Sequence, residues 1–322
     1  MRLRLSGKNQ VMEKYSIFFV LLAMIIVCSI LNKNFLSANN ITNIMKQLAV
    51  GTILAYGEML LIISGMLDLS SGAVLALSGV LSVSCYKSTG SLVLALILAV
   101  VIGIVCNLLN ALMVTYFNAP AFIATLAMQT VARGVALLYT KGQNILQLDK
   151  YVVFGQGTVG PVPVSIIFMV VITVVIWYIL KHTRFGRSLY AIGGNEEAAV
   201  ASGINVKKNK YVIFVINGVL VGIAGVLFMS RVNAGLPNGA VGYEMEGLTA
   251  AVVGGTSFSG GVGTTMGTLA GAFIIGCLNN IMNLIGVDSY VQQIVKGAII
   301  AFAVIWDIRS KTKKTQKVIL AQ

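Results

Sequence analysis

Hydrophobic positions along this chain run in long stretches, with polar residues gathered between them and only occasionally inside them. A stretch of roughly 20 predominantly apolar residues, wound as a helix, is long enough to cross the hydrocarbon of a bilayer. By that measure the pattern predicts an all-α polytopic membrane protein of about ten spans, near residues 15–31, 47–64, 68–86, 91–116, 119–140, 164–181, 211–231, 243–258, 265–285 and 289–306. Segments 47–64 and 68–86 are separated only by Gly65, Met66 and Leu67, and the polar run Asp68-Leu69-Ser70-Ser71-Gly72 falls where the chain must turn, so a broken or re-entrant helix is an alternative there. Two connections are long. The stretch 141–163 holds two of the four prolines with Gly142, Gly155, Gly157 and Gly160 and reads as an ordered loop. The stretch 182–210 is polar and basic.

Composition closes off the soluble alternative. Of 322 residues, 57% are hydrophobic and 10% are charged, against roughly 25% charged in ordinary soluble domains. Residues 1–322 therefore read as a single transmembrane domain. The net charge of +13 reports orientation rather than a nucleic-acid partner. Arg2, Arg4, Lys8 and Lys14, six basic residues between Lys181 and Lys210, and five from Arg309 to Lys317 fall in segments that share one side of the membrane. That bias places both termini and the 182–210 loop in the cytoplasm, and 141–163 outside. The basic start and apolar stretch of residues 1–31 resemble a signal peptide, but no clear small-residue cleavage site follows, and an uncleaved first span is expected. Cys28, Cys85, Cys106 and Cys277 sit in apolar runs without metal or disulfide spacing and read as free thiols.

Inside the cytoplasmic loop, Gly193 to Ile204 has the chemistry of a short capped helix. Asn195 is suited to the N-cap, Glu196 and Glu197 to the positive end of the helix dipole, and Gly203 to the C-terminal turn. Ala198, Ala199 and Ala201 give it a slim surface that a partner's cleft could grip; the bland alternative is a surface helix between two spans. No G-x-x-x-x-G-K-[ST] phosphate loop occurs, so this sequence supplies no nucleotide cradle.

Several polar residues interrupt the apolar runs. An ionised side chain at mid-bilayer costs roughly 3 kcal/mol or more, so Glu58, Asp68, Arg133 and Lys296 should pair or face water. With Ser70, Gln129, Asn279, Asn280, Asn283, Gln292 and Gln293 they are candidates for lining a passage for a polyhydroxylated solute, or equally for interhelical glue. Gly263, Gly267 and Gly271 share a helix face, which suits close packing within the subunit better than a dimer seam. The lone His182 lies beside Lys181 and Arg184 at a membrane edge and reads as interfacial, and no metal or catalytic cluster can be assembled. A weak internal echo links Ala55-Tyr56-Gly57-Glu58-Met59 with Gly242-Tyr243-Glu244-Met245-Glu246.

Tyr190-Ala191-Ile192-Gly193-Gly194-Asn195-Glu196, Ala198-Ala199 and Ser202-Gly203-Ile204 resemble the cytoplasmic signature of the ribose-type permeases of bacterial ABC sugar importers. Ser64-Gly65-Met66-Leu67-Asp68-Leu69-Ser70, Ala251 to Ser257 with Gly260 to Gly263, and Leu278-Asn279-Asn280 through Leu284 to Val287 extend the likeness in collinear order from about residue 40 to 306. The sequence departs at Met66, where the family carries a small residue, and at Ser71, where Val is common. The resemblance implies a non-enzymatic permease subunit in the bacterial inner membrane, moving a monosaccharide. It implies Gly194, Asn195, Glu196, Ala198, Ala199, Ser202 and Gly203 as the contact with ATPase subunits, ATP and Mg bound on those subunits, a sugar-binding protein outside, and a second permease copy or homologue. A permease for branched-chain amino acids or nucleosides shares these features. An ion-coupled carrier working through Glu58 or Asp68 is a more distant alternative.

Overall fold

The computed structural model describes the backbone of residues 7–319, with side chains from 16 to 305 and at 309. Arg2, Arg4 and the side chains of Lys8, Lys14 and the basic residues after Arg309 lie outside the described residues. Helices follow one another as α1 (Gly7–Leu31), α2 (Ala38–Ile63), α3 (Ser71–Thr89), α4 (Leu92–Thr115), α5 (Ala121–Thr140), α6 (Val164–His182), α7 (Arg184–Gly194), α8 (Glu196–Ala201), α9 (Val206–Val232), α10 (Tyr243–Val253), α11 (Thr265–Leu284) and α12 (Ser289–Ile319). Among the described residues six of them, α2, α4, α5, α6, α9 and α11, are long and apolar enough to cross a membrane, and Ser16–Leu31 and Ser289–Ile305 are shorter apolar stretches.

Short polar side chains start these helices. Ser37, Ser91, Thr183, Asn195, Asn205 and Thr264 each accept a hydrogen bond from a backbone N–H in the first turn that follows. The Ser37 cap explains why α2 begins at Ala38 and not near 47: Asn39, Asn40, Asn43 and Lys46 hide that part of the helix from an apolar count. The 64–70 turn joins two complete helices rather than breaking one. Conversely α10 stops at Val253, short of 258, and residues 254–264 form a glycine-rich loop before α11.

Burial sorts the helices into a core and a lipid-facing shell. In the apolar windows of α2, α9 and α11, 83%, 72% and 72% of residues are buried, against 28% in each of α4, α5 and α6. The exposed positions of the latter are mainly Val, Leu, Ile and Phe, as hydrocarbon requires. With lipid as apolar as leucine, close backbone packing must hold the core together. A Cβ added at Gly103 would lie 2.2 Å from the Gly218 carbonyl oxygen, so α4 and α9 touch backbone to backbone. The face of Gly267 and Gly271 packs likewise, on Gly254 and Ala250 at the end of α10, within the subunit.

The 141–163 segment is stitched down. Ile145–Leu146 pairs with Ala234–Gly235, and Thr158–Val159 with Val162–Pro163. Tyr151 is buried, with its hydroxyl 2.9 Å from Ser82 and its carbonyl 2.8 Å from the Ser230 hydroxyl that donates to it. Desolvation pushes that phenol's pKa up.

Candidate functional site

Three polar groupings stand out, one at each end of the bundle's chemistry and one in its core. The first is α7 with α8. The amphipathic α7 buries Gly186, Leu189 and Ile192, spaced three apart along one face. Asn195 breaks the helix in extended conformation and caps α8, its side-chain oxygen 2.8 Å from the Ala198 N–H. The 193–204 segment is thus two helix ends meeting at Asn195, with Gly194 on α7 and Ser202 as the C-cap of α8, followed by Gly203 at φ 79°. Gly194, Asn195, Glu196, Ala198, Ser202 and Gly203 are exposed. Ala199 instead turns inward, packed with Ile192, Ile204 and Val206, so the large apolar side chain that α8 turns outward is Val200. Glu196 pairs with Lys210 at the start of α9, 2.8 Å away.

This unit is wedged against the bundle. A Cβ on Gly193 would come within 1.7 Å of the Ile63 carbonyl oxygen at the end of α2, and within 2.7 Å of the Gly261 nitrogen. Gly261 N–H donates to that same Ile63 carbonyl at 2.8 Å. The Tyr190 hydroxyl donates to the Gly263 carbonyl at 2.8 Å, and burial raises the Tyr190 pKa. Only glycine at 193 lets α7 lie on the α2 terminus and on the loop that feeds α11.

The second grouping is buried in the core around the start of α3. Glu58 and Asp68 are fully inaccessible. Ser71 donates to Glu58 at 2.6 Å, so the hydroxyl at a position where the resembled family carries Val has a defined partner. Asp68 accepts from the Ser70 N–H and hydroxyl through one oxygen and from Asn217 at 2.7 Å through the other. Asn217 also donates to Asn107 at 2.9 Å, and Asn110 donates to the Ser70 hydroxyl at 3.0 Å. Asp68 is therefore the centre of an interhelical knot joining α3, α4 and α9, and it does not cap α3, whose N-cap is Ser70. Glu244 approaches from α10 and accepts from Gln129 at 3.3 Å. Arg133 donates instead to the Pro237 and Gly239 carbonyls, both at 2.7 Å. Among the described residues no His, Cys, Asp and Glu side chains are grouped to hold a metal ion.

The third grouping joins α10, α11 and α12. Glu246 takes both the Lys296 ammonium and the Asn279 amide on one carboxylate oxygen. The neighbouring Asn280 faces another way, in a reciprocal amide pair with Asn40 at 2.9 and 3.0 Å. Asn283 accepts from Gln292 at 2.9 Å near the surface. The polar candidates named from the sequence thus divide: Glu58, Asp68, Ser70 and Gln129 converge on the core, Asn279 shares Glu246 with Lys296, Asn280 is glue, and Asn283 lies near the surface. Sequence reasoning missed Asn107, Asn110, Asn217 and Glu246. Asn107 and Asn110, three apart in an otherwise apolar helix, were the available signal for a polar stripe.

A family model described as branched-chain amino acid transport system / permease component matches residues 40–304. The ribose import permease protein of Bacillus subtilis strain 168 is 44% identical over 300 residues, which are 92% of this chain and 93% of the relative. The D-allose transport system permease protein of Escherichia coli K12 is 34% identical over 298 residues, 92% of this chain and 91% of the relative. The galactose/methyl galactoside import permease protein of the same strain is 34% identical over 323 residues, 94% and 96% of the two chains. No solved structure matches.

Proposed function

This chain belongs to the family of branched-chain amino acid transport system permease components, and we propose from that premise that it is the membrane subunit of an ATP-dependent importer of a ribose-like monosaccharide. Similarity along nearly the whole chain to permeases named for ribose, allose and galactose supports a sugar over the amino acids of the family's description. The chain is a multi-pass inner-membrane protein. In this reading the nine helices of 19 residues or more among the described residues cross the membrane, and the 11-residue α10 completes one permease unit over residues 1–322. The basic 182–210 loop lies inside and the stitched 141–163 loop outside, as the positive-inside bias directs.

The observation that carries the reading is the wedge of α7 between the end of α2 and the 260–263 loop, with α8 exposed beside it. A separate ATPase subunit gripping Gly194, Asn195, Glu196, Val200, Ser202 and Gly203 would move α7 with α8, because Asn195 and the buried Ala199 join them. Since Gly193 rests on the Ile63 carbonyl and Tyr190 holds Gly263, that displacement reaches α2 and α11 without slack. ATP and Mg would be bound by that partner, sugar delivered by an extracytoplasmic binding protein, and the pore completed by a second permease.

The test is Gly203→Val in the reconstituted importer. At φ 79° a β-branched residue is strained and the close of α8 must shift. The expected result is a drop of about tenfold in sugar-coupled ATP hydrolysis, equivalent to about 1.4 kcal/mol of lost coupling, with insertion and folding intact. Unchanged coupling would remove α8 from the contact, and uptake that follows an ion gradient without ATP would remove the importer reading.

A further inference from the structure

Two cavities open on the flank formed by α10, α11 and α12, and they meet at one side chain. The larger, about 1280 Å³, lies near α7, beside Trp177, Lys181, Tyr190 and Thr256. The smaller, about 500 Å³, lies farther from α7, beside Glu246, Thr249, Gln292, Gln293 and Lys296. Asn279, which donates to Glu246, is fourteen residues beyond Thr265 along α11, or about 21 Å at the α-helical rise. Ile299 lines both cavities and, like Val253, packs against the cluster of Ala250, Ala272 and Ile275, so this apolar side chain stands on the boundary the two cavities share.

The smaller cavity has the chemistry of a place for hydroxyl groups. Its volume lies in the range of small-molecule pockets, about 300–1,000 Å³. Glu246 spends one carboxylate oxygen on Lys296 and Asn279, and no described residue hydrogen-bonds the other. An ammonium has three donors, and Lys296 spends one of them there. Gln292 has committed its amide nitrogen to Asn283 and to the Val287 carbonyl, which leaves its oxygen as an acceptor, and Gln293 is exposed. Donors and acceptors share this lining with the apolar Ile275, Leu278 and Ile300. A sugar hydroxyl, which donates and accepts at once, matches that mixture. The carboxylate and ammonium cancel, so the chamber has no net attraction for an ion, and a lipid chain would leave its polar groups unmatched.

We propose that this cavity is the sugar's first binding place within the subunit, with Glu246, Lys296 and Gln293 hydrogen-bonding its hydroxyls and Ile299 closing the way to the larger cavity. The proposal rests on the permease reading above, and the experiment keeps the two apart. Proteoliposomes carrying this chain with its ATPase subunits and binding protein are assayed for uptake of labelled ribose and for ATP hydrolysis. Wild-type vesicles that take up no sugar would sink the permease reading itself. Given wild-type uptake, Glu246→Gln is expected to lower ribose uptake at limiting sugar about tenfold, the loss of one charge-assisted hydrogen bond, while binding-protein-stimulated hydrolysis continues at the wild-type rate. Gln293→Ala leaves the ion pair in place and cannot unfold a buried core; uptake per ATP is expected to fall with it too. Uptake and hydrolysis that fall together or both stay unchanged would overturn the site. So would full uptake in the charge-swapped Glu246→Lys, Lys296→Glu protein, since pairing alone would then suffice.

Discussion

Glu58 and Asp68 are sealed in the core, and among the described residues neither joins an ion pair; Glu246 lies on a cavity wall and takes Lys296. Around Asp68 every donor in reach is committed: Ser70 through both its N–H and hydroxyl, Asn217 to two acceptors at once, Asn110 to Ser70. Glycines press the surroundings tight, with Gly57 against the Asn217 amide oxygen and Gly72 against Glu244. Along α12 the packing loosens, and Gly297 has nothing within 4 Å of where its Cβ would stand. The same residue types thus serve as a lock where backbones touch and as an accessible lining where they do not. In a bilayer that difference follows from packing, because the hydrophobic effect does not drive helices together there.

The comparison breaks most readily at its tight side. Gly103→Val would drive a side chain into the Gly218 carbonyl, 2.2 Å from the new Cβ, with only backbone to give way. Overpacking of this kind is expected to cost about 3 kcal/mol, seen as a much lower thermal midpoint in detergent; a midpoint near wild type would show that α4 and α9 can separate freely. Next comes Asn217→Leu, which strips the donor from both Asp68 and Asn107 in a fully buried site. Stranded buried acceptors cost about 1–3 kcal/mol each, so a loss of about 2 kcal/mol is expected, and an unchanged midpoint would mean that water satisfies the knot. The smallest effect falls on the loose side: Gly297→Ala has room and gains helix propensity, so a gain of about 0.5 kcal/mol is expected. A clear loss would show that α12 sits closer to a neighbour than the cavity allows.

Membrane class and helix content were legible in the sequence because they depend on run length and on where the charges lie, both one-dimensional quantities. So was the end of α8, since Asn195 and Gly203 act through their own backbone neighbours. The start of α2 was not, because some of the partners that hold its polar first turns lie far away in the chain, Asn280 for Asn40 and Gln156 for Lys46.

Asn279 and Asn280 show where sequence stops and tertiary structure decides. Adjacent residues on a helix point about 100° apart, and nothing in the two letters says which meets Glu246 on α10 and which meets Asn40 on α2. Ala199 is the same case in miniature: its small size fitted a partner's cleft, but the helix phase set by Ile192 and Val206 turns it inward and leaves Val200 outside. What the chain determined by itself is its multi-pass helical class, the caps of α8 and the glycine face of α11, all properties of local spacing. What the folded bundle decided is which acid is locked and which lines a cavity, because that depends on the distance between helix axes, and the distance is set by side chains from both partners at once.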